Sequence, residues 1–200
     1  MIHPNTELRF ISQQIGYGVV ATKHIPKGTI TWVQDHLDQV FTEQQLLNFS
    51  LPYKAILNTY CFKNRHGNHV LCWDHSRFVN HSFRSNCIST AYDFEIAIRD
   101  IEAGEQLTDD YGYLNISEPF IAEPENTKRT IVFPDDLLHY SAQWDAQIEV
   151  AIAELTQHEQ PLKWLFTQDR WDQVLRFAKK EESMDSISTN YYKPTYQDAC

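Results

Sequence analysis

Between Leu8 and about Tyr113, the apolar residues of this chain occur in short groups separated by turn signals, a pattern that favours short strands over long helices. The groups are rich in β-branched and aromatic residues, which fit the pleated surface of a sheet. Pro26-Lys27-Gly28 and Glu102-Ala103-Gly104 are typical of the turns between strands. The predicted strands are 8–11, 18–22, 29–33, 60–62, 69–73, 87–92 and 94–99.

One eight-residue pattern occurs twice in this region. Residues 21–28 and 97–104 share an alanine, a cation, an isoleucine and a glycine at equal spacing. Each copy predicts a strand, a turn anchored by a buried isoleucine, and a glycine with positive φ. Two such units are expected in one small sheet domain, and chance similarity over eight residues is the alternative.

Helical patterns occur in the middle of the chain and after residue 115. A capping-box sequence at 42–45 and Pro52 predict a helical insert over about 42–59. A loop over 117–130 then precedes helices at about 137–155 and 169–180, whose apolar residues recur at three- and four-residue steps. Residues 181–200 are polar and are expected to be mobile, although Tyr191 and Tyr192 could dock locally.

Three ordered motifs resemble those of one known family. Residues 77–82 (Arg-Phe-Val-Asn-His-Ser) resemble the Arg-Phe-x-Asn-His-Ser signature of the SET domain, the catalytic fold of one large class of protein lysine methyltransferases. Residues 104–111 resemble its Gly-Glu-x-Leu-Thr-x-Asp-Tyr signature, and residues 16–18 its amino-terminal Gly-x-Gly strand. Three matches in order are much more specific than one short motif.

The resemblance implies a mainly β fold with added helices. We expect a SET-domain β-clip of short strands with a threaded C-terminal segment over 1–115, an α-helical extension over 116–182, and a polar tail over 183–200. The C-terminal helices could cover a cofactor site, replace a zinc module or form a homodimer surface. The compact form resembles small bacterial SET proteins that lack the zinc-binding cysteines, which makes the cytoplasm the expected location and leaves delivery to a host cell open.

The resemblance also implies an activity, the transfer of methyl groups from S-adenosylmethionine to the side-chain amine of lysine in a protein, with S-adenosylhomocysteine as product. The attacking amine must be neutral, although free lysine has a pKa of about 10.4. A narrow apolar channel is therefore needed to disfavour the charged form, together with an oxygen that orients the amine. Aromatic walls suit such a channel, because they also tolerate positive charge.

Specific residues receive roles from the resemblance. Tyr111 corresponds to the catalytic tyrosine whose hydroxyl lies beside the transferred methyl group, and Tyr60 resembles a second tyrosine that lines the lysine channel. Asp109 and Tyr113 are expected in the same channel. The residues expected to contact the cofactor are Gly16, Tyr17, Gly18, Arg77, Asn80, His81 and Tyr111, and Arg77 could instead brace the fold.

Two departures from the family pattern motivate an alternative function. Asp109 occupies a position where many relatives have Phe or Tyr, and a carboxylate there could attract the lysine ammonium but also raise its pKa. The number of methyl groups added is therefore left open. Residues 83–86 (Phe-Arg-Ser-Asn) replace the usual Cys-x-Pro-Asn. The alternative is a catalytically degenerate SET-fold module that binds proteins, with or without retained cofactor, and the intact Asn80, His81 and Tyr111 argue against it.

The net charge limits the classes of molecule that this protein is expected to bind. The formal net charge of −10 disfavours direct nucleic-acid binding and suits a basic protein or peptide substrate such as a histone-like tail, although the charge could serve solubility alone. No apolar run reaches the length of a membrane span.

No Cys-x-x-Cys pair occurs among Cys61, Cys72, Cys87 and Cys200, so reduced thiols and no structural zinc are expected. The nearby His66, His69 and His75 match no established metal-ligand spacing.

Overall fold

The computed structural model describes residues 1–193, and Cys200, one of the predicted reduced thiols, lies outside the described residues. The strands are β1 (Thr6–Ser12), β2 (Gly16–Ala21), β3 (Ile30–Val33), β4 (Gln39–Phe41), β5 (Cys61–Lys63), β6 (His69–Leu71), β7 (Asn80–His81), β8 (Cys87–Ser89), β9 (Phe94–Ala97), β10 (Thr108–Asp109), β11 (Phe120–Ile121) and β12 (Ile131–Val132). The α-helices are α1 (Glu43–Leu47), α2 (Leu51–Tyr60), α3 (Asp136–Ile152) and α4 (Gln168–Ala178).

The strands form several small sheets rather than one large one. Strands β1 and β2 form an antiparallel hairpin, two three-stranded sheets have the orders β3-β9-β8 and β4-β6-β5, and β7 pairs with β10 in parallel. The structure is 31% helical and 23% strand, which confirms the predicted β-rich fold with helices added. No helix within residues 1–193 has the length and apolar character needed to cross a membrane.

The repeated pattern at 21–28 and 97–104 corresponds to a real contact. Ile25 and Ile101 are both fully buried and form an antiparallel bridge, in which each backbone N–H donates to the other's carbonyl at 2.9 Å. Gly28 and Gly104 have φ values of 83° and 90°. Both predictions, the buried isoleucine and the positive φ, are confirmed, and the two copies pair with each other.

Strand β9 separates two environments. Phe94 and Ile96 lie in a buried cluster with residues of α3 and α4, including Ala151 and Val174. Because neighbouring side chains of a strand point to opposite faces, Glu95 faces the other way. The C-terminal helices therefore cover one face of the β3-β9-β8 sheet and leave the other face to the site.

Most element boundaries differ from the predictions by one to three residues, and three of them bear on the site. Tyr60 is the last residue of α2, because the N–H of Cys61 donates to Leu57 O and closes the final helical turn. Strand β8 ends at Ser89, before a turn in which Asp93 has a φ of 59° and the Thr90 hydroxyl donates to Phe94 O at 2.8 Å. Strand β6 ends at Leu71. The capping box that opens α1 is present as predicted.

The start of the predicted mobile tail is anchored instead. Ile187 is fully buried, and its N–H donates to Asp145 Oδ1 on α3 at 2.8 Å. Asn190 donates to Thr90 O at 2.9 Å, and the Tyr192 N–H donates to Asn115 Oδ1 at 2.9 Å. The buried Ile187 side chain and these hydrogen bonds hold a segment that its polar composition predicted to be mobile.

Candidate functional site

The motifs at residues 77–82 and 104–111 meet through the parallel pair of strands β7 and β10. Asn80 lies opposite Thr108, and His81 lies opposite Asp109. The pairing continues past the strand, where the Ser82 N–H donates to Asp109 O at 2.8 Å. The Asn-His step is thereby placed beside the chain that leads directly into Tyr111.

Tyr111 is fixed at both its backbone and its hydroxyl group. Its N–H donates to His81 Nδ1 at 3.1 Å, and its hydroxyl donates to Val79 O at 2.8 Å. Burial raises the pKa of Tyr111 well above its ordinary value, so the phenol is neutral at physiological pH. The side chain presents a neutral hydroxyl oxygen in a defined position and cannot act as a base.

His81 is a neutral imidazole within an aromatic cluster. Burial lowers its pKa to about 4. Because Nδ1 accepts the Tyr111 N–H, the ring hydrogen is on Nε2, which is buried and has no partner within residues 1–193. The ring centroid lies 4.4 Å from that of Phe83 and 5.6 Å from that of Phe120. His81 therefore orients Tyr111 and retains one unused donor.

The glycine motif joins this cluster through Asn80. The Asn80 side-chain amide donates to Tyr17 O at 3.1 Å and to Gln106 Oε1 at 3.0 Å. A Cβ atom at Gly18 would lie 2.5 Å from Gln106 Oε1 and 2.7 Å from Asn80 Nδ2, so glycine is needed for this close approach. Strand β2, strand β7 and the segment before β10 are thus joined by the hydrogen bonds of the Asn80 amide.

A cavity of about 690 Å³ lies beside Tyr111. It is lined by Tyr60, Arg77, Asp109, Tyr111 and Tyr113, together with apolar walls from Trp32 and Phe62. Gly16, Gly18, Asn80 and His81 are not among its lining residues. The predicted site residues therefore form two groups, which meet at Tyr111.

The predicted site residues that line the cavity make different kinds of contact. The Tyr60 ring packs edge-on against Phe78 at 5.0 Å. Tyr113 is only 3% exposed, and its hydroxyl accepts from the Asp110 N–H and donates to Cys87 O, both at 3.2 Å. Arg77 donates to the carbonyl oxygens of Cys72 and Trp73, at 3.3 and 3.2 Å. These contacts favour the bracing role for Arg77 and a largely structural role for the Tyr113 hydroxyl.

Asp109 does lie in the cavity, and sequence reasoning missed its neighbour Glu95. Glu95 lies on β9, lines the same cavity and accepts a hydrogen bond from the Ser89 hydroxyl at 3.0 Å. Burial raises the pKa of both carboxyl groups, to about 7 for Asp109, and the charge of Asp109 adds to the shift at Glu95. A sequence signal existed, because Glu95 interrupts the apolar run from Phe94 to Ile98.

The sequence also did not identify the contacts that hold the segment after the site. The Arg129 guanidinium pairs with the buried carboxylates of Asp110 and Asp136 and lies over the rings of Phe83 and Tyr140. Glu125 accepts from the Ser82 hydroxyl at 3.1 Å and the Phe83 N–H at 2.9 Å. Nothing in the spacing of these residues links them before the chain is folded.

The predicted thiols and histidines are dispersed in the structure. Cys61, Cys72 and Cys87 are free, and burial raises the pKa of each thiol, to about 11 for Cys61. His69 Nε2 lies 2.8 Å from Glu43 Oε1, and His75 Nε2 lies 2.9 Å from the Thr6 hydroxyl. Within residues 1–193, no group of three or more His, Cys, Asp or Glu side chains could hold a metal ion.

Comparison with known proteins agrees with the motifs and the fold. The model of the SET domain family matches residues 16–112, the same interval that the three motifs span. No curated protein matches the chain significantly. The chain therefore contains a SET domain at residues 16–112.

Proposed function

We propose that this protein transfers methyl groups from S-adenosylmethionine to the side-chain amine of lysine in a protein substrate. The observation that carries the proposal is the position of the neutral Tyr111 hydroxyl, which is hydrogen-bonded to Val79 O at the wall of the cavity. Its oxygen keeps lone pairs that can face a positively polarised methyl group. The His81 contact to the Tyr111 backbone keeps that oxygen in place.

The residues at the junction of the three motifs fit an adenosyl cofactor. Gly16, Tyr17 and Gly18 would hold it through the backbone, and Asn80 and His81 would hold it through polar groups, including the unpartnered His81 Nε2. When bound, S-adenosylmethionine supplies an electrophilic methyl group on a sulfonium. Phe120 adds an apolar surface, since its ring packs against both His81 and Tyr111. These residues bind and orient, and none of them needs to ionise.

The cavity would receive the lysine side chain. Tyr60, Trp32 and Phe62 provide apolar and aromatic walls for its methylene chain. An apolar wall disfavours the ammonium form and so lowers the pKa of the amine toward the range in which it can attack. The net charge of −10 favours encounter with a basic protein or peptide, such as a histone-like tail.

The test is transfer of a labelled methyl group from S-adenosylmethionine to a panel of basic proteins and to cell extract. We expect label on lysine, identified by mass spectrometry of the labelled protein. Saturable binding of a partner whose mass stays unchanged in the presence of the methyl donor would instead support the binding-module alternative. Absence of both transfer and cofactor binding would contradict the proposal.

Gly18→Ala is expected to weaken binding of S-adenosylhomocysteine by at least about tenfold, which corresponds to about 1.4 kcal/mol. The added Cβ would lie 2.7 Å from Asn80 Nδ2, so the Asn80 amide would have to leave its present position. Isothermal titration calorimetry measures the change. Gly104→Ala is the matched control, because Gly104 has a φ of 90° and open space around its Cβ position, so that only stability should fall. Equal affinity in Gly18→Ala and the parent would remove Gly18 from the cofactor site.

A further inference from the structure

Of the four carboxyl groups that line the cavity beside Tyr111, those of Asp93 and Glu118 are on exposed residues, and the proposed reaction does not use the other two. Glu95 and Asp109, called here the carboxyl pair, both line it. Within residues 1–193, neither forms an ion pair with a lysine, arginine or histidine side chain. Glu95 accepts a hydrogen bond from the Ser89 hydroxyl, but a buried carboxylate such as that of Asp109 normally has a cationic or hydrogen-bonding partner, so its lack of a cation requires an explanation.

Two residues that line the same cavity each have an unpartnered polar atom. Asp109 is 5% exposed, and its Oδ1 is buried without a hydrogen-bond partner. Trp32 lies opposite Glu95 in the sheet, and its Nε1 is also buried without a partner. A buried acceptor and a buried donor without hydrogen-bond partners reduce stability unless a bound molecule supplies those partners.

The cations that line the cavity are engaged elsewhere. Lys63 Nζ lies 3.2 Å from Glu43 Oε1, and Arg65 pairs with Asp93 at 3.3 Å. Arg77 donates to two backbone carbonyls, and His69 lies beside Glu43. Within the described residues, the carboxyl pair is therefore left without a cation, and the head group of a lysine side chain would complement ionised Asp109.

The other ionisable groups around the pair are the carboxylate of Asp110, the cationic amino terminus of Met1 and three neutral groups. Asp110, next to Asp109 in the chain, raises the pKa of Asp109, and the amino terminus of Met1 lowers that of Glu95. Tyr111, Tyr113 and Cys87 keep their protons, because burial raises the pKa of each. None of these groups can replace the pair as a proton acceptor at neutral pH.

We propose that Asp109, positioned by Glu95, binds the ammonium group of the substrate lysine and accepts one of its protons, an inference that rests on the proposed function. The N–H bond breaks, its electron pair remains on nitrogen, and a new O–H bond forms at Asp109 Oδ1. The amine is then neutral and able to attack the methyl group. The proton returns to solvent when the methylated product leaves the cavity.

The two carboxyl groups have different parts in this step. Burial and the charge of Asp109 keep the pKa of Glu95 well above its ordinary value, so Glu95 carries a proton and supports Asp109 as a donor. The pKa of Asp109, at about 7, suits a group that must both accept and release a proton near neutral pH. Asp109 is thus the acceptor, and Glu95 is the positioning residue.

Binding of a lysine side-chain mimic tests the site without turnover. We expect n-butylammonium to bind the parent protein, with affinity at least about tenfold weaker in Asp109→Asn, because charge-assisted hydrogen bonds are the strong ones. Glu118→Gln removes an exposed carboxylate that lines the same cavity, and as the matched control it should remain within about threefold of the parent. Uncharged 1-butanol should not distinguish the three proteins. Equal affinity of the parent and Asp109→Asn for n-butylammonium, measured by NMR titration, would overturn the proposal.

Difference infrared spectroscopy on the unmodified protein gives a second readout, which does not depend on the variant folding. Addition of n-butylammonium at pH 7 should decrease the carbonyl band of protonated carboxyl groups, because the bound cation favours the ionised form of Asp109, and 1-butanol should not. A spectrum without this decrease would also overturn the proposal. Neither readout needs methyl transfer, so absence of transfer with both readouts positive would count against the proposed function alone.

The pH dependence of turnover is a further prediction. The parent should gain activity as pH rises through about 7, because the raised pKa of Asp109 leaves the acceptor protonated below that value. Asp109→Asn should be about 100-fold slower at pH 7 and should recover steadily as alkaline pH deprotonates the amine directly. Steady-state rates over pH 6–10 measure this, and a variant with the parent's profile would show that Asp109 is not the acceptor.

Discussion

Tyr111→Phe is expected to reduce methyl-transfer turnover by about 10²- to 10³-fold, the range found when one preorganised polar group is removed from an active site. The variant loses the hydroxyl oxygen at the cavity wall and keeps the ring that packs against His81 and Phe120. Affinity for S-adenosylhomocysteine should change by less than about threefold, since this product lacks the methyl group that the Tyr111 hydroxyl would face. Single-turnover rates and calorimetric titration measure the two quantities separately.

Tyr92→Phe is the matched control for this result. The Tyr92 hydroxyl accepts the Asp185 N–H at 2.8 Å, on the side of the sheet that faces the C-terminal helices. Each variant thus removes one tyrosine hydroxyl that makes a single hydrogen bond, at a cost of about 1 kcal/mol in stability. Only Tyr111→Phe should lose turnover. Equal turnover by Tyr111→Phe and the parent would show that Tyr111 is not the catalytic tyrosine.

Arg129→Met is expected to lower the free energy of unfolding by about 3–5 kcal/mol, the cost of leaving buried charges without their partner. The side chains of Asp110 and Asp136 are each only 4% exposed and both pair with Arg129. Because Asp110 immediately precedes Tyr111, this ion cluster also holds the segment after the site against the catalytic motif. Urea denaturation of parent and variant measures the difference.

The triple variant Arg129→Met, Asp110→Asn, Asp136→Asn is the control. It removes all three charges and should recover much of the lost stability, since a buried ion cluster contributes little beyond its own desolvation cost. A small effect of Arg129→Met alone would mean that the cluster is not an important anchor.

Acid should reduce the defect of Arg129→Met. Burial already raises the pKa of Asp110 in the folded parent, and loss of the cation that opposes this shift would raise it further. A carboxyl group with a raised pKa in the folded state favours folding when protonated and loses that contribution as pH rises. The stability difference between parent and variant should therefore be smaller at pH 5 than at pH 7.5. A difference that does not depend on pH would contradict this account.

Local sequence determined a large part of the fold. The capping box before α1, the apolar stripes of α3 and α4, and the positive φ of Gly28 and Gly104 all depend on residues within one or two turns of each other. The family was also evident from short motifs, because their backbone and side-chain requirements are local. Boundaries such as that at Tyr60 depended instead on one hydrogen bond that closes a helix.

The sequence by itself determined the SET fold, the tyrosine at its centre and the helical additions. Only the tertiary structure decided that Glu95 faces Asp109, that Arg129 joins Asp110 to Asp136, and that Ile187 anchors the chain after α4. The physical reason is that these contacts join segments with no local pattern in common. Which segments meet depends on the faces of the folded sheet that the packed helices leave uncovered.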